Sequence, residues 1–212
     1  ASFIKGGSQK LSDHLAGYIR KHGGDVLLNH LVTGVTVSGN RATGVIFRKR
    51  SDRTRETVTA TADEIVVNCS VPALADMLPP EHGTLLKEQC HGLNTGASLL
   101  TVYFGFDRPL KELGHSYYSM FIYDRSVKSQ SDIARNNHDD FSRRSFTFVD
   151  YGQVDSGLAP AGKGVGAICC IDYLADWEKL GKNEYELRKE YVAQTFIERL
   201  DEVIPGVREV IS

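Results

Sequence analysis

The sequence lacks the patterns that announce most chemistries. No uncharged apolar run approaches the roughly 18 to 20 residues a membrane-spanning helix needs, and the first residues lack the charged-then-apolar pattern of a secretory leader. The four cysteines, Cys69, Cys90, Cys169 and Cys170, form no CxxC and no Cys/His ligand spacing, so neither a disulfide framework nor a zinc site is expected. They read as reduced, mostly buried thiols, and the adjacent Cys169 and Cys170 would point to opposite faces of a strand. The seven histidines (His14, His22, His30, His82, His91, His115 and His138) share no helical face and no HxxxH spacing, so no metal site is expected. Without a GxSxG elbow or a GxxxxGK[ST] loop, the obvious hydrolase and NTPase readings fall away.

What is present is an ordinary globular composition of 212 residues, 41% hydrophobic and 25% charged, with a net charge of −2. That length suits one domain, or a core with a substantial appendage. The charge balance gives no support to a nucleic-acid partner. The basic cluster Arg48, Lys49, Arg50, Arg53 and Arg55 is mixed with Asp52 and Glu56 and has only Phe47 as an aromatic neighbour, so it reads as a solvated loop tip. An apolar surface need not be contiguous in sequence, so peripheral membrane contact stays open.

Along the chain, Leu11, Leu15, Tyr18 and Ile19 have the spacing of one buried helix face over Ser8 to His22, with Gly23-Gly24 as its stop. Short strands are expected at Asp25 to Asn29 and Val32 to Ser38. Gly39-Asn40 turns the latter back into Ala42 to Arg48, and a polar excursion leads on to a strand at Thr57 to Ala62. The run Glu64 to Cys69, with adjacent β-branched residues, reads as a strand covered on both faces. A boundary is expected near Pro79-Pro80.

Beyond it the long strand candidates Ala97 to Phe106, Ser116 to Tyr123, Ser145 to Tyr151 and Val165 to Tyr173 predict a mainly antiparallel sheet. The polar stretch Ser126 to Asp140 reads as a mobile loop. Asn183 to Val203 is the longest helix, with a broad apolar face of Leu187, Tyr191, Val192, Thr195, Phe196, Leu200 and Val203 that should pack across the sheet before Pro205-Gly206 ends it. Gly162 to Ala167 matches GxGxx[GA] as text. A proline-containing loop precedes it and the β-like run Ile168 to Ile171 follows, so it is expected to lead into a strand and not to cradle phosphate.

One larger constellation remains: Gly6-Gly7-Ser8-Gln9, the helix, Gly23-Gly24, the strand segment from Asn29 through Val32, the hairpin with Gly44-Val45, then Ala62-Asp63-Glu64-Ile65-Val66-Val67-Asn68. In this order and spacing it resembles the carotenoid desaturase, carotenoid isomerase and retinol saturase branch of the FAD-dependent amine-oxidase-like superfamily. Val154 to Gly162 is similar to that branch's D-x-s-l-A-P-x-G loop, and Tyr185, Lys189 and Pro205-Gly206-Val207 to its long helix and stop.

The resemblance implies an α/β (α+β) chain: the edge of an FAD-binding, Rossmann-like domain over residues 1–80, then a substrate-binding domain of mainly antiparallel sheet with a long packing helix over 81–212. It implies FAD as cofactor, with Gly6, Gly7, Val32, Asn68, Cys69 and Ser70 on the cofactor side: the glycines for close backbone approach, Val32 to read an adenine edge through its backbone, and Asn68-Cys69-Ser70 at the end of a strand. A core valine at Val32, a tight turn at Gly6-Gly7 and a plain helix lead-in at Asn68 to Ser70 are the structural alternatives.

The implied substrate is a lipophilic polyene, carotenoid- or retinoid-like, that is desaturated, saturated or isomerised by hydride exchange with flavin. No catalytic acid, base or nucleophile stands out. A non-catalytic module that binds a lipophilic ligand or a partner protein is the alternative. The branch begins with strand, GxGxxG and helix and ends with a glycine-rich segment, and neither is found here. The opening at Ala1, without an initiator Met and leading at once into a structural motif, reads as an excised segment or a processed N-terminus. Retention of FAD by these residues alone is not expected, and a second copy is expected to cover the apolar surface that such a truncation would leave.

Overall fold

The computed structural model describes residues 3–51, 54–93 and 96–212; Asp52 and Arg53 of the expected basic loop tip lie outside the described residues. The chain divides into two compact units, residues 16–95 and residues 1–15 with 96–212. The helix α1 (Ser8–Lys21) runs across the division. Pro79-Pro80 stands inside the unit of residues 16–95.

In the unit of residues 16–95, β1 (His30–Ser38), β2 (Arg41–Lys49) and β3 (Val58–Thr61) form an antiparallel sheet in the order β1-β2-β3. Gly39, at φ 57°, supplies the left-handed residue that a tight hairpin needs. The helices α2 (Val71–Met77) and α3 (Pro80–Gln89) follow. The start of α2 is set by Ser70, whose hydroxyl accepts from Ala73 N at 3.4 Å, and by Pro72 in its first turn.

Several expectations fail in α1 and in the residues 16–95 for one reason: periodicity reports which residues want covering, not what covers them. α1 forms as expected, but Leu11, Leu15, Tyr18 and Ile19 are all exposed. Asp25 to Asn29 is an irregular connection, not a strand, and turns at Asn29 with φ 58°. Glu64 to Cys69 pairs with no strand among the described residues, and Val66, expected to be buried, is 96% exposed.

The second sheet is entirely antiparallel, in the order β4-β7-β6-β5, from β4 (Ser98–Phe106), β5 (Ser119–Ile122), β6 (Phe146–Asp150) and β7 (Gly164–Asp172). One face packs on α5 (Lys182–Val203) through Phe104, Phe106, Phe146, Phe148, Ile168 and Cys170 from the strands and Val192, Phe196 and Leu200 from the helix. The buried stripe of α5 is narrower than its apolar spacing suggests, because Leu187, Tyr191 and Val203 remain exposed. The long helix ends as expected, with Gly206 at φ 86°.

Gly162 to Ala167 leads into β7, as its context predicts. The polar stretch Ser126 to Asp140 contains the helix α4 (Gln130–Asn136), started by a capping box between Ser129 and Asp132 that the sequence reading passed over. Of the four thiols only Cys170 is buried; Cys69 is exposed and Cys90 and Cys169 are half-buried.

Candidate functional site

Strand alternation sends every second residue of this sheet away from α5. The register aligns those residues in rows: Leu99 opposite Ile171, then Thr101 opposite Cys169 opposite Thr147 opposite Phe121, then Tyr103 opposite Ala167 opposite Val149 opposite Ser119. None of these residues carries a charge. Leu99, Tyr103 and Phe121 are 65%, 75% and 71% exposed. A hydroxyl–thiol contact, Thr101 Oγ1 to Cys169 Sγ at 3.8 Å, marks the middle of the face.

At one end a hollow of about 230 Å³ is lined by Leu99, Phe121, Tyr123, Ile133, Cys169 and Ile171. The other end carries Tyr118 and Tyr151, with ring centroids 6.2 Å apart. Asp150, sealed from solvent, holds that end in shape. Its Oδ1 accepts from Gly152 N at 2.8 Å and its Oδ2 from Gln153 Nε2 at 2.9 Å, which closes the 3-10 turn Tyr151–Gln153. His115, also buried, sets its Nε2 4.0 Å from Asp150 Oδ2. Burial pushes the Tyr151 phenol above its ordinary value, and the neighbouring Tyr118, Tyr103 and Cys169 push it further. It therefore stays neutral.

Gly6 and Gly7 are joined to this same end. Gly6 N donates to Ser156 O at 2.6 Å, the Phe3 ring stands 5.6 Å from that of Tyr151, and a Cβ on Gly7 would lie 3.4 Å from Leu158. Both glycines have positive φ, 86° and 82°, a conformation in which L side chains are strained. The sequence's Gly6-Gly7 motif and its Val154 to Gly162 loop thus meet, although they stand some 150 positions apart, as do Lys5 and Asp155 of the ion pair beside them.

The other expected cofactor residues lie in the unit of residues 16–95. Val32 is on β1, an edge strand, 41% exposed and beside a register shift between Val32 and Gly34. Asn68, Cys69 and Ser70 form the exposed lead-in to α2, where Ser70 is the cap. Exposed backbone at an edge strand and at a helix lead-in fits the adenosine side of a dinucleotide. Among the described residues no strand, GxGxxG and helix unit stands ready for its pyrophosphate, and no cluster of metal-ligating side chains occurs.

Sequence reasoning missed the outer face of the second sheet, because alternation alone does not say which face meets a helix. The usable signal was that β4 is apolar on both faces, with Leu100, Val102, Phe104 and Phe106 on one and Leu99 and Tyr103 on the other.

Comparison with known proteins agrees in kind. The model of the family described as flavin containing amine oxidoreductase matches residues 1–206. The prolycopene isomerase (chloroplastic) of Arabidopsis thaliana is 40% identical over 60 residues, covering 28% of this chain and 10% of the isomerase. The inactive all-trans-retinol 13,14-reductase of Danio rerio is 29% identical over 124 residues, covering 57% of this chain and 20% of that protein. The crystal structure of an oxidoreductase from Methanosarcina mazei superposes with a TM-score of 0.60 at 18% identity, covering 96% of this chain and 40% of that one, a likeness of fold. The chain thus spans a tenth to a fifth of the length of these curated relatives.

Proposed function

The chain belongs to the flavin-containing amine oxidoreductase family, and from that premise we propose that it serves an FAD-dependent oxidoreductase acting on an uncharged lipophilic polyene, carotenoid- or retinoid-like. The observation that carries this reading is the uncharged outer face of the β4-β7-β6-β5 sheet. An alkylammonium substrate would call for a carboxylate, and the rows from Leu99 to Phe121 hold none. A polyene asks only for apolar contact and exclusion of water.

The names of the two relatives support the same substrate class, a prolycopene in one and a retinol in the other. FAD, when bound, supplies the hydride chemistry by which a polyene is desaturated or saturated, and an isomerisation is equally compatible. Gly6, Gly7, Val32, Asn68, Cys69 and Ser70 would hold it, and the 96–212 sheet would floor the substrate channel. Because Gly6-Gly7 is tied to the Tyr151 end of the face, the reacting bond of the polyene would lie toward that end and its tail toward the hollow at Leu99 and Phe121.

A second reading, a non-catalytic module that holds a lipophilic ligand, draws on the word inactive in the name of the Danio rerio relative. Visible absorbance of the full gene product separates the two. Bound flavin whose oxidised band bleaches when a carotene is added anaerobically supports the oxidoreductase. A colourless product that binds the carotene favours the module, and one that holds neither sinks both.

A further inference from the structure

At one end the outer face of the β4-β7-β6-β5 sheet meets α4, which adds Ile133 and Asn137 to the lining of the hollow at Leu99, Phe121 and Cys169. That helix is anchored. Asn136, 2% exposed, donates from Nδ2 to Asp139 Oδ2 and to Arg143 O, both at 3.0 Å, and its Oδ1 accepts from Ser145 N at 2.7 Å. The Ser145 hydroxyl accepts in turn from Asp124 N at 3.2 Å, next to Tyr123. One residue at the head of β6 therefore braces both α4 and the Tyr123 side, and the hollow has its shape before any ligand arrives.

Among the described residues no charged side chain lines this hollow. Its volume is about 230 Å³, and an apolar cavity of about 150 Å³ already admits a benzene. A methylated six-membered ring therefore has room. A bare polyene strand is thinner and would leave part of the wall without partner atoms, losing those contacts outright. The distance to the other end is also set. Thr147 and Ser145, both in the lining, stand four and six residues before Tyr151, a reach of about 14–20 Å at roughly 3.4 Å per strand residue. An extended chain advances about 1.2 Å per bond, so that reach is about 12–17 bonds.

We propose, resting on the polyene reading of this face, that the hollow is the seat of a cyclic end group and that α4 is the stop against which the ring rests. The sheet then measures the substrate: the bond presented at the Tyr151 end is the one about 12–17 bonds from the seated ring. Ile133 is the residue that sets this specificity, because it stands on the anchored helix and faces the hollow. The substrate class narrows to polyenes that carry a terminal ring.

The test uses two probes whose own fluorescence rises on binding: all-trans-retinol, which ends in a ring, and a ring-free conjugated tetraene alcohol. Ile133→Trp fills the hollow from α4, and Leu99→Trp fills it from a position that is 65% exposed, which guards against a folding defect in the first variant. Either variant is expected to weaken retinol about tenfold and the tetraene alcohol less than about twofold. Orientation is read separately by photolabelling the native chain with retinol carrying a diazirine on the ring or at the hydroxyl end. The ring label is expected on Phe121, Tyr123, Ile133 or Asn137, and the other label on Tyr118 or Tyr151. Equal losses for the two alcohols, no loss for either, or labels that are exchanged or indifferent would overturn the end-group seat while leaving the polyene reading in place. Failure of both alcohols to bind the native chain would overturn the polyene reading, and the seat with it.

Discussion

Arg144 and Asp172 meet at 2.8 Å with both side chains sealed from solvent. The guanidinium is satisfied on every side: it also donates to Ile171 O and Asp139 O, and it lies 4.1 Å from the centroid of Phe141. Asp172 in turn accepts from Trp177 Nε1 at 2.6 Å. This network ties β7 to the loop after α4. Arg144→Met strands a buried carboxylate and is expected to cost about 3–5 kcal/mol in chemical denaturation. The double variant Arg144→Met with Asp172→Leu should lose less than the two single losses combined, because it leaves no charge unpaired. Strictly additive losses would show that the pair is not coupled.

A second pair sets an acid response. The Ser142 hydroxyl first, and the Tyr191 hydroxyl at 2.7 Å second, hold the Asp140 carboxyl down to about 2. A folded value below that of the unfolded chain means that the stabilisation is present above about pH 4 and is lost as pH falls toward about 2. Asp140 is exposed, so the energy involved is small. Tyr191→Phe is expected to move the Asp140 midpoint upward, part of the way to the ordinary carboxylate value, in a carboxyl-carbon NMR titration. An unmoved midpoint would mean that Tyr191 plays no part.

Thiol labelling reports on the same fold. Burial pushes the Cys170 thiol up to about 12, and only the thiolate reacts. Alkylation of the native chain at mild pH is expected to modify exposed Cys69 first and to leave Cys170 unmodified until the chain unfolds. Mass spectrometry showing Cys170 modified as fast as Cys69 would contradict the placement of Cys170 against α5.

Much of the fold was legible in the sequence, and the residues show why. The alternation through β4, β6 and β7, the Gly39 turn and the Pro205-Gly206 stop each rest on local chemistry that the chain carries in itself. The misreadings at Leu11, Leu15, Tyr18, Ile19 and the Glu64 to Cys69 run concern burial, which depends on what lies opposite. Gly6-Gly7 was legible as a motif because its positive φ leaves little choice of residue. Its neighbour across the chain, the Tyr151 end of the outer face, was not, since Tyr103, Tyr118 and Tyr151 come together only through strand register. A motif search cannot see that.

Binding of a polyene to that face is the direct measurement. Quenching of tyrosine fluorescence by all-trans-retinol should saturate with the native chain. Phe121 is 71% exposed, so Phe121→Lys should leave the fold intact while placing a charge at the hollow end of the floor. The account predicts at least about tenfold weaker binding for this variant, the effect of about 1.4 kcal/mol, with an unchanged unfolding midpoint. Equal affinity in the two chains would contradict the assignment of the outer face as the substrate floor.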